Sequence, residues 1–462
     1  MPAILALDIG TSSVRSATFD ASGKLQPQTL SQAPCQLLTS TDGSAEMDAG
    51  GLLRIVRRCL TSSQKNGADV LAVGVSCYWH SLLGTDSEGR PLTPIYTWAD
   101  SRCREDAAAL RAELSEKSVH AETGCMLRTS FWPAKLRWIR RTKPALFRRV
   151  KRWMSPAEWL QLQITGSTTC AHGMATGTGL YDPKTMTWSA RMLEVTGLRA
   201  SQLNEISDRP STWRGTSWYP AIGDGAASNL GSDATEPGTA AINVGTSAAV
   251  RVVRNSGPVR APFGLFCYRI DQARFLIGGA VSNAGSLHAW SLRELRVTQN
   301  PESLEDELAR RPTPKHGLLV LPFWSAERAP EWNEHSRGSI HGITHSTTAI
   351  DILQAVTEAF HFRIARIADL VADGPNGRWI VSGGILHSPT AIQRLANVMG
   401  RTLHPNPERE ASLRGAAIFA MEKSHLKPTD APLRHRILHS KKVHTLYLAE
   451  RAKADALAQR LS

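Results

Sequence analysis

The sequence predicts an α/β protein built from two domains, and three observations support that prediction. The chain has 462 residues, whereas a single hydrophobic core stops growing at about 250–300 residues. Short apolar runs alternate with stretches of helical periodicity, which is typical of strands interleaved with helices. The segment AILALDIGTSSVRSATF at 3–19 is echoed by AAINVGTSAAVRVV at 240–253, which indicates an internal duplication.

The N-terminal half begins with predicted strands. Residues 3–8 and VRSATFD at 14–20 predict two of them, and DASG then supplies turn chemistry before a third antiparallel strand, LQPQTL at 25–30. The segment MDAGGLLRIVRRCLTSSQ at 47–64 carries its apolar residues on one side of a helix. The run DVLAVGVSC at 69–77 is continuously apolar, which predicts a buried, parallel strand.

The second half repeats this order of elements. FLIGGA at 275–280 and GRWIVSGGI at 377–385 predict strands, the second of which runs into glycines. A helix is expected to begin within VSNAGSLHAWSLREL, and IDILQAVTEAFHFRIARIADLV at 350–371 predicts a long, mostly buried helix. We therefore predict domains at 1–222 and 223–462, with TWRGTSWYPAIG as the crossing between them.

The net charge of +13 has three explanations: nucleic-acid binding, attraction of small anions, or a generally basic proteome. The densest basic run, KLRWIRRTKPALFRRVKRW at 135–153, contains apolar residues at near-helical spacing, which favours a solvated helical face. No helix-turn-helix or RNA-binding aromatic motif accompanies it. We therefore predict no nucleic-acid partner, and a nucleic-acid-associated ATPase is a weak rival.

Composition indicates an ordinary cytoplasmic protein. No segment approaches the roughly 20 apolar residues of a membrane span, and the N-terminus lacks the basic flank and cleavage site of a signal peptide. The seven cysteines form no Cys-x-x-Cys pair, so we expect neither a zinc site nor a disulfide framework, but small residues in a reduced interior. His341 and His345 in HGITH have no acid between them, which makes a metal site there unexpected.

The two Gly-Thr-Ser turns suggest a nucleotide. A strand that ends at such a turn presents backbone N–H groups and hydroxyls, which suit phosphate oxygens. Asp8 precedes the first turn and could hold Mg²⁺, whereas Asn243 stands at the equivalent place before the second. We therefore place the magnesium on the side of the first turn. The fingerprints of a P-loop, a dinucleotide-binding fold and a serine hydrolase are absent from the sequence.

A family resemblance appears when these motifs are taken together. In order along residues 3–420, the sequence contains ALDIGTSSVRSATFDASG, PIYTWADSR, FWPAKLRWI, IGDGAASNLG, AINVGTSA and VSGGILHSP. This order resembles the FGGY carbohydrate kinases, and WHSLLGTDSEGRPLTPIYTWADSR with LPFWSAERAPEWNEHSRGSIHG is most similar to their gluconokinase branch. One departure is a residue fewer between Pro133 and Lys135 than the family signature has. The resemblance implies two ribonuclease H-like domains, of the actin-like ATPase and sugar kinase kind, flanking a central cleft.

The resemblance also implies the cofactors ATP and Mg²⁺ and assigns residues to roles. Asp224, in IGDGAASN, resembles the catalytic base that takes the proton from the acceptor hydroxyl, a task that suits a positioned carboxylate. Asp8 resembles the metal-binding acid. Ser388 precedes Pro389, so a helix N-cap is the alternative for it. The positions that resemble the family's nucleotide-binding residues are Asp8, Gly10, Thr11, Ser12, Ser13, Arg15, Gly245, Thr246, Ser247, Gly285, Gly383, Gly384 and Ser388.

The acceptor site is assigned in the same way. Arg102 could donate to a hydroxyl or meet a carboxylate in a bidentate pair, and Trp98 could instead be a core residue. The positions that resemble the family's sugar-binding residues are Trp79, His80, Trp98, Asp100, Arg102 and Asp224.

The resemblance therefore implies ATP-dependent phosphorylation of a small sugar acid or sugar, with D-gluconate to 6-phosphogluconate favoured. A xylulokinase-like pentulose or polyol kinase is the alternative, and so is a non-catalytic sugar-binding regulator on the same fold. The expected partner is the small-molecule acceptor, with no nucleic acid and no membrane, and a homodimer is allowed.

Overall fold

The computed structural model describes residues 3–64, 69–255, 260–298, 300–372, 377–430 and 435–461. The chain divides into two compact units. Unit 1 comprises Met1–Asp233, Arg254–Leu276 and Glu410–Asp430, and unit 2 comprises Ala234–Val253, Ile277–Arg409 and Ala431–Ser462. Both units mix strands and helices, as predicted. Each unit consists of three separate segments of the chain. The predicted domain ranges 1–222 and 223–462 stay a prediction.

The elements of the first half of the chain are strands joined by helices of one to four turns. They are β1 Ala3–Ile9, β2 Ser13–Phe19, β3 Ser31–Pro34, β4 Leu38–Thr39, β5 Ala45–Met47, α1 Ala49–Ser63, β6 Val70–Cys77, β7 Leu83–Thr85, β8 Ile95–Tyr96, α2 Arg104–Glu113, α3 Glu116–Thr123, α4 Trp132–Thr142, α5 Pro144–Arg149, β9 Arg152–Met154, α6 Pro156–Thr165, α7 His172–Ala175, β10 Tyr181–Asp182, β11 Thr187–Trp188, α8 Ala190–Thr196, β12 Ser211–Trp213, β13 Thr216–Trp218, β14 Ile222–Gly223 and α9 Asp224–Gly231.

The second half has fewer strands and longer helices. Its elements are β15 Thr239–Val244, β16 Ala248–Arg254, β17 Phe266–Arg269, β18 Phe275–Val281, α10 Gly285–Glu294, α11 Pro301–Arg310, β19 Leu319–Leu321, β20 Ser339–His341, α12 Ala349–Val371, β21 Arg378–Ser382, α13 Pro389–Met399, β22 Leu403–Pro405, α14 Ala411–Lys423 and α15 Lys441–Leu461.

The main sheet of unit 1 has the order β12–β13–β6–β1–β2–β3, with β14 also beside β6. β1 is antiparallel to β2 and parallel to β6, and β14 is parallel to β6 as well. The carboxyl ends of β1, β6 and β14 therefore lie at one edge of the sheet. The predicted strand at β6 is confirmed, and so is the helix at α1, whose first turn is capped by the Asp48 side chain.

Two expectations about unit 1 were wrong. Residues 27–29 of LQPQTL form a turn of 3₁₀ helix, and the third antiparallel strand is β3 instead. Pro27 has no N–H to donate to a strand ladder, and its φ suits the start of a helical turn. The segment 212–223, predicted as the crossing, contributes to β12, β13 and β14 of the unit 1 sheet.

The sheet of unit 2 repeats the pairing of unit 1. Within unit 2 the strand order is β18–β16–β15–β21–β22, and β15 is antiparallel to β16 and parallel to β21. β15, β16 and β21 thus pair as β1, β2 and β6 do, which agrees with the duplication indicated by the sequence. The long buried helix is confirmed as α12, which begins with a capping box of Thr348 and Asp351.

The basic run at 135–153 spans α4, α5 and β9. Most of its cations are exposed, as predicted for a solvated face. Lys135 is the exception: it is 1% exposed, and its ammonium group donates to the backbone carbonyls of Thr129 and Ser130. The prediction was wrong for this residue because carbonyls from the preceding turn satisfy the buried charge.

Two compositional expectations can be compared with the described part of the chain. None of the seven cysteines, all of which lie in the described ranges, forms a disulfide, and all but Cys35 are buried, in agreement with the prediction of small interior residues. None of the helices in the described ranges has the length and apolar character required to cross a bilayer.

Candidate active site

The first Gly-Thr-Ser turn joins β1 to β2. The Gly10 N–H donates to the Ser13 carbonyl at 3.0 Å, and a Cβ at Gly10 would lie 2.9 Å from that oxygen. Glycine therefore allows the tight turn. Ser12 is exposed at its tip, and Thr11 and Ser13 are partly exposed, so this turn offers hydroxyls and backbone groups to a ligand.

Asp8 lies just before this turn and is 2% exposed. Arg15, opposite it on β2, donates from Nη2 to Asp8 Oδ2 at 2.6 Å and from Nη1 to Glu410 Oε2 at 2.9 Å. Burial raises the pKa of Asp8, and Arg15 and the neighbouring Ser76 oppose that rise. Asp8 is thus a desolvated carboxylate balanced by a cation. The Arg15 guanidinium, which was predicted to serve the phosphate turn, is bound to two carboxylates.

Asp224 lies at the same edge of the unit 1 sheet. Asp8 and Ile222 are both paired with Ser76 of β6, from opposite sides, and Gly223 is paired with Cys77. Asp224 follows directly as the first residue of α9 and is partly exposed. Burial raises the pKa of the Cys77 thiol, and the charges of both aspartates add to the rise. The structure therefore brings the two predicted carboxylates together on either side of the end of β6.

Trp79 and His80 follow β6 and line the same edge. Trp79 is buried, and its indole N–H donates to the Gly173 carbonyl at 2.7 Å. A Cβ at Gly223 would lie 1.8 Å from Trp79 Cε2, so the ring packs directly on the residue before Asp224. His80 has a φ of +68°, and its Nδ1 donates to the Gly177 carbonyl at 2.5 Å. A bulky residue in this left-handed conformation stores strain, which is common at functional sites.

The remaining predicted acceptor residues lie on the loop after β8. Trp98 is 40% exposed, so the alternative that it is a core residue is wrong. Asp100 is 2% exposed and is bound by Arg102, from Nε to Oδ1 at 3.1 Å and from Nη2 to Oδ2 at 2.5 Å. Arg102 also binds Glu46 and lies over the Trp138 ring, 4.5 Å from its centroid. Asp100 and Arg102 therefore serve first as partners of each other.

In unit 2 the second Gly-Thr-Ser turn joins β15 to β16. The Gly285 N–H, at the start of α10, donates to the Gly245 carbonyl at 2.9 Å, and the Ser286 N–H donates to the Thr246 carbonyl at 3.0 Å. Gly383, at the end of the neighbouring β21, has a φ of +92°, and a Cβ there would lie 2.4 Å from the Val244 carbonyl oxygen. Three predicted nucleotide segments thus meet in unit 2.

This group of turns fits a nucleotide. Among the described residues, a Cβ at Gly245 or Gly384 would approach no atom beyond the chain neighbours more closely than 3.8 Å. Bare backbone therefore faces open space, which suits phosphate oxygens and a flat base. Thr246 and Ser247 are exposed at the tip of the turn. The Ser388 hydroxyl accepts from the Ala391 N–H at 3.0 Å. Ser388 is therefore the N-cap of α13, which was the alternative prediction for it.

The two turns differ in their capacity for a cation. Asp8 supplies a carboxylate in unit 1, whereas the equivalent Asn243 donates from Nδ2 to Ser382 Oγ at 3.1 Å. No group of three or more His, Cys, Asp or Glu side chains that could hold a metal occurs among the described residues. Magnesium keeps most of its waters and needs one or two carboxylates together with phosphate oxygens. Asp8 fits that requirement, although Arg15 already occupies one of its oxygens.

Sequence reasoning missed three residues that support these sites. Glu410 holds Arg15 from 395 positions away, and Gly173 and Gly177 hold Trp79 and His80. Nothing in the local sequence around them signals these contacts, because each contact joins distant parts of the chain.

Comparison with known proteins agrees with this arrangement. Residues 3–228 match the N-terminal domain of the FGGY family of carbohydrate kinases, and residues 240–423 match its C-terminal domain. A gluconokinase of Bacillus subtilis (strain 168) is 25% identical, over 90% of this chain and 87% of that protein. A ligand-bound xylulose kinase of Lactobacillus acidophilus shares the fold with a TM-score of 0.93 at 24% identity, and covers 100% of this chain and 98% of its own. A gluconate kinase of the same organism shares the fold with a TM-score of 0.92 at 24% identity, and the match covers 100% of this chain and 98% of that one.

Proposed function

Because the chain belongs to the FGGY family of carbohydrate kinases, we propose that it transfers the γ-phosphate of ATP to a hydroxyl of a small sugar acid. D-gluconate is the favoured acceptor, with 6-phosphogluconate as the product. The observation that carries the proposal is the pair of carboxylates, Asp8 and Asp224, on either side of the end of β6. The similarity to gluconokinases supports the choice of acceptor, and a net charge of +13 favours the approach of an anion.

In the proposed mechanism each residue has a separate task. Asp224 takes the proton from the acceptor hydroxyl, and its partial exposure at the start of α9 leaves it accessible to a substrate. Trp79 and His80 line the acceptor site beside Asp224. Asp8 would hold Mg²⁺, directly or through water, and the bound metal would neutralise charge on the β- and γ-phosphates. The backbone and hydroxyls of the two Gly-Thr-Ser turns would bind phosphate oxygens.

The proposal is tested by an ADP-release assay on gluconate, xylulose, ribulose and glycerol, with wild type and Asp224→Ala. We expect gluconate to be the best acceptor and the variant to lose turnover by about 10²–10⁴-fold, as removal of a general base does. If Asp224→Ala has the turnover of the wild type, the assignment of Asp224 as the general base is wrong. A wild-type protein that binds sugars without releasing ADP would instead be the non-catalytic regulator.

A pentulose or polyol kinase is the second candidate, and one observation favours it. Arg102, the predicted partner of a sugar-acid carboxylate, is already bound by Asp100 and Glu46. An acceptor without a carboxylate would not have to compete with those two acids. Activity on xylulose with none on gluconate in the same assay would decide for this candidate.

A further inference from the structure

Glu305, on α11 of unit 2, touches the segment that follows the Gly383–Gly384 turn. Its Oε2 accepts from the Ser388 hydroxyl at 2.7 Å, and its Oε1 accepts from the Thr390 N–H at 2.6 Å. Both oxygens of one carboxylate thus bind the first residues of α13. Bonds to an ionised acceptor are short and stronger than neutral ones, so α11 fixes where α13 begins.

A series of bonds connects this carboxylate to the glycine turn. The Ser388 hydroxyl accepts from the Ala391 N–H at 3.0 Å, and the Ser388 N–H donates to the Ile385 carbonyl at 3.1 Å. The Leu386 N–H donates to the Gly383 carbonyl at 3.1 Å. Three residues separate the glycine pair from Ser388, so a displacement of Ser388 would be passed to the turn through these bonds.

The charge of Glu305 also reaches α10, the helix that begins at Gly285. His288 is on α10, three residues after Gly285, and burial lowers the pKa of its imidazole while the charge of Glu305 opposes that change. Gly285 in turn bonds to Gly245 in the second Gly-Thr-Ser turn. The carboxylate therefore bonds to the start of α13, and its charge acts on His288 of α10.

We propose that Glu305 is a positioning residue for the nucleotide, which holds Ser388 and the start of α13 so that the Gly383–Gly384 turn keeps the shape that receives the adenosine. This inference rests on the proposed function, because it takes unit 2 as the nucleotide-binding half. Glu305 acts through Ser388 and Thr390 and is not itself in contact with the reacting atoms.

The test compares Glu305→Ala and Glu305→Gln with Glu307→Gln, an exposed acid on the same helix, in the full-length protein. The KM for ATP, the KM for the acceptor and kcat are measured, together with the Kd for ADP by calorimetry. Loss of two charge-assisted bonds should raise the KM for ATP and the Kd for ADP by roughly 5- to 30-fold in Glu305→Ala. Glu305→Gln keeps an oxygen acceptor for one bond and should recover part of the loss. The acceptor KM and the Glu307→Gln control should stay at wild-type values.

A general structural role is distinguished by the split between the two substrates. If Glu305→Ala binds ADP as wild type does, or weakens ATP and acceptor binding equally, the positioning role is overturned. If Glu305→Ala does not fold, Glu305→Gln decides by the same comparison of its ADP Kd with wild type. A wild-type protein that binds no ADP would refute the proposed function itself, which is a different outcome from an unchanged Kd in the variants.

Discussion

Gly223→Ala is the substitution for which the structure makes the sharpest prediction. A Cβ there would lie 1.8 Å from Cε2, 2.0 Å from Cζ2 and 2.3 Å from Nε1 of Trp79, whereas carbon atoms in contact are about 3.5–4.0 Å apart. The ring is held in place, because the Gly173 carbonyl accepts its N–H and the backbone at Gly177 packs so closely that a Cβ there would lie 2.4 Å from Cδ1. The backbone at Gly223, one residue before Asp224, must therefore move by about 2 Å.

The expected result has a catalytic and a structural part. Misplacement of a reacting group by about 1 Å can cost about 10²-fold in rate, so kcat in the ADP-release assay should fall by about that factor or more. Overpacking of this kind costs about 1–3 kcal/mol of unfolding free energy, measured by denaturant titration. Gly50→Ala is the matched control, since a Cβ at Gly50 in α1 would come no closer than 3.5 Å to its neighbours. A Gly223→Ala enzyme with normal kcat would refute the argument, and recovery of stability in the double variant with Trp79→Ala would support it.

Three further predictions concern buried charges. His361 is fully buried, neither ring nitrogen has a hydrogen-bond partner, and burial lowers its pKa to about 3. The unfolded chain therefore binds a proton that the folded state does not, and the folded state loses stability as pH falls from about 6.5 towards 3. The variant His361→Leu should show a smaller loss of stability in thermal melts between pH 4 and 6.5. The variant Asp8→Asn should lower kcat at least about 10-fold without lowering Tm at pH 7. The pKa of Asp8 is raised, which means that its ionised form is disfavoured in the folded state. A lower Tm in this variant would contradict that argument. Arg102→Ala leaves Asp100 buried without its cation and should cost about 3–5 kcal/mol in denaturant titrations, whereas a stable variant with a raised KM for gluconate alone would make Arg102 the carboxylate binder.

Local chemistry was sufficient to predict the turns and the elements around them. The apolar runs that became β1, β6, β15 and β21 are buried strands, and the 3.6-residue period of α12 shows directly in the sequence. Expectations failed where a local signal had two outcomes. The turn chemistry of DASG predicts a strand at LQPQTL, yet Pro27 starts a 3₁₀ turn. The basic run predicts a solvated helical face, yet Lys135 is buried.

The pair of strand–turn–strand units could be predicted from local sequence, because a glycine turn between buried strands is specified by residues that are neighbours in the chain. The role of each charged side chain, in contrast, depends on contacts between distant parts of the chain. Arg15 was expected at a phosphate and instead bridges Asp8 and Glu410, and Arg102 was expected at a substrate and instead binds Asp100 and Glu46. The physical reason is that a buried charge is stabilised by whichever opposite charge the fold brings within hydrogen-bond distance, and that partner can be 395 residues away.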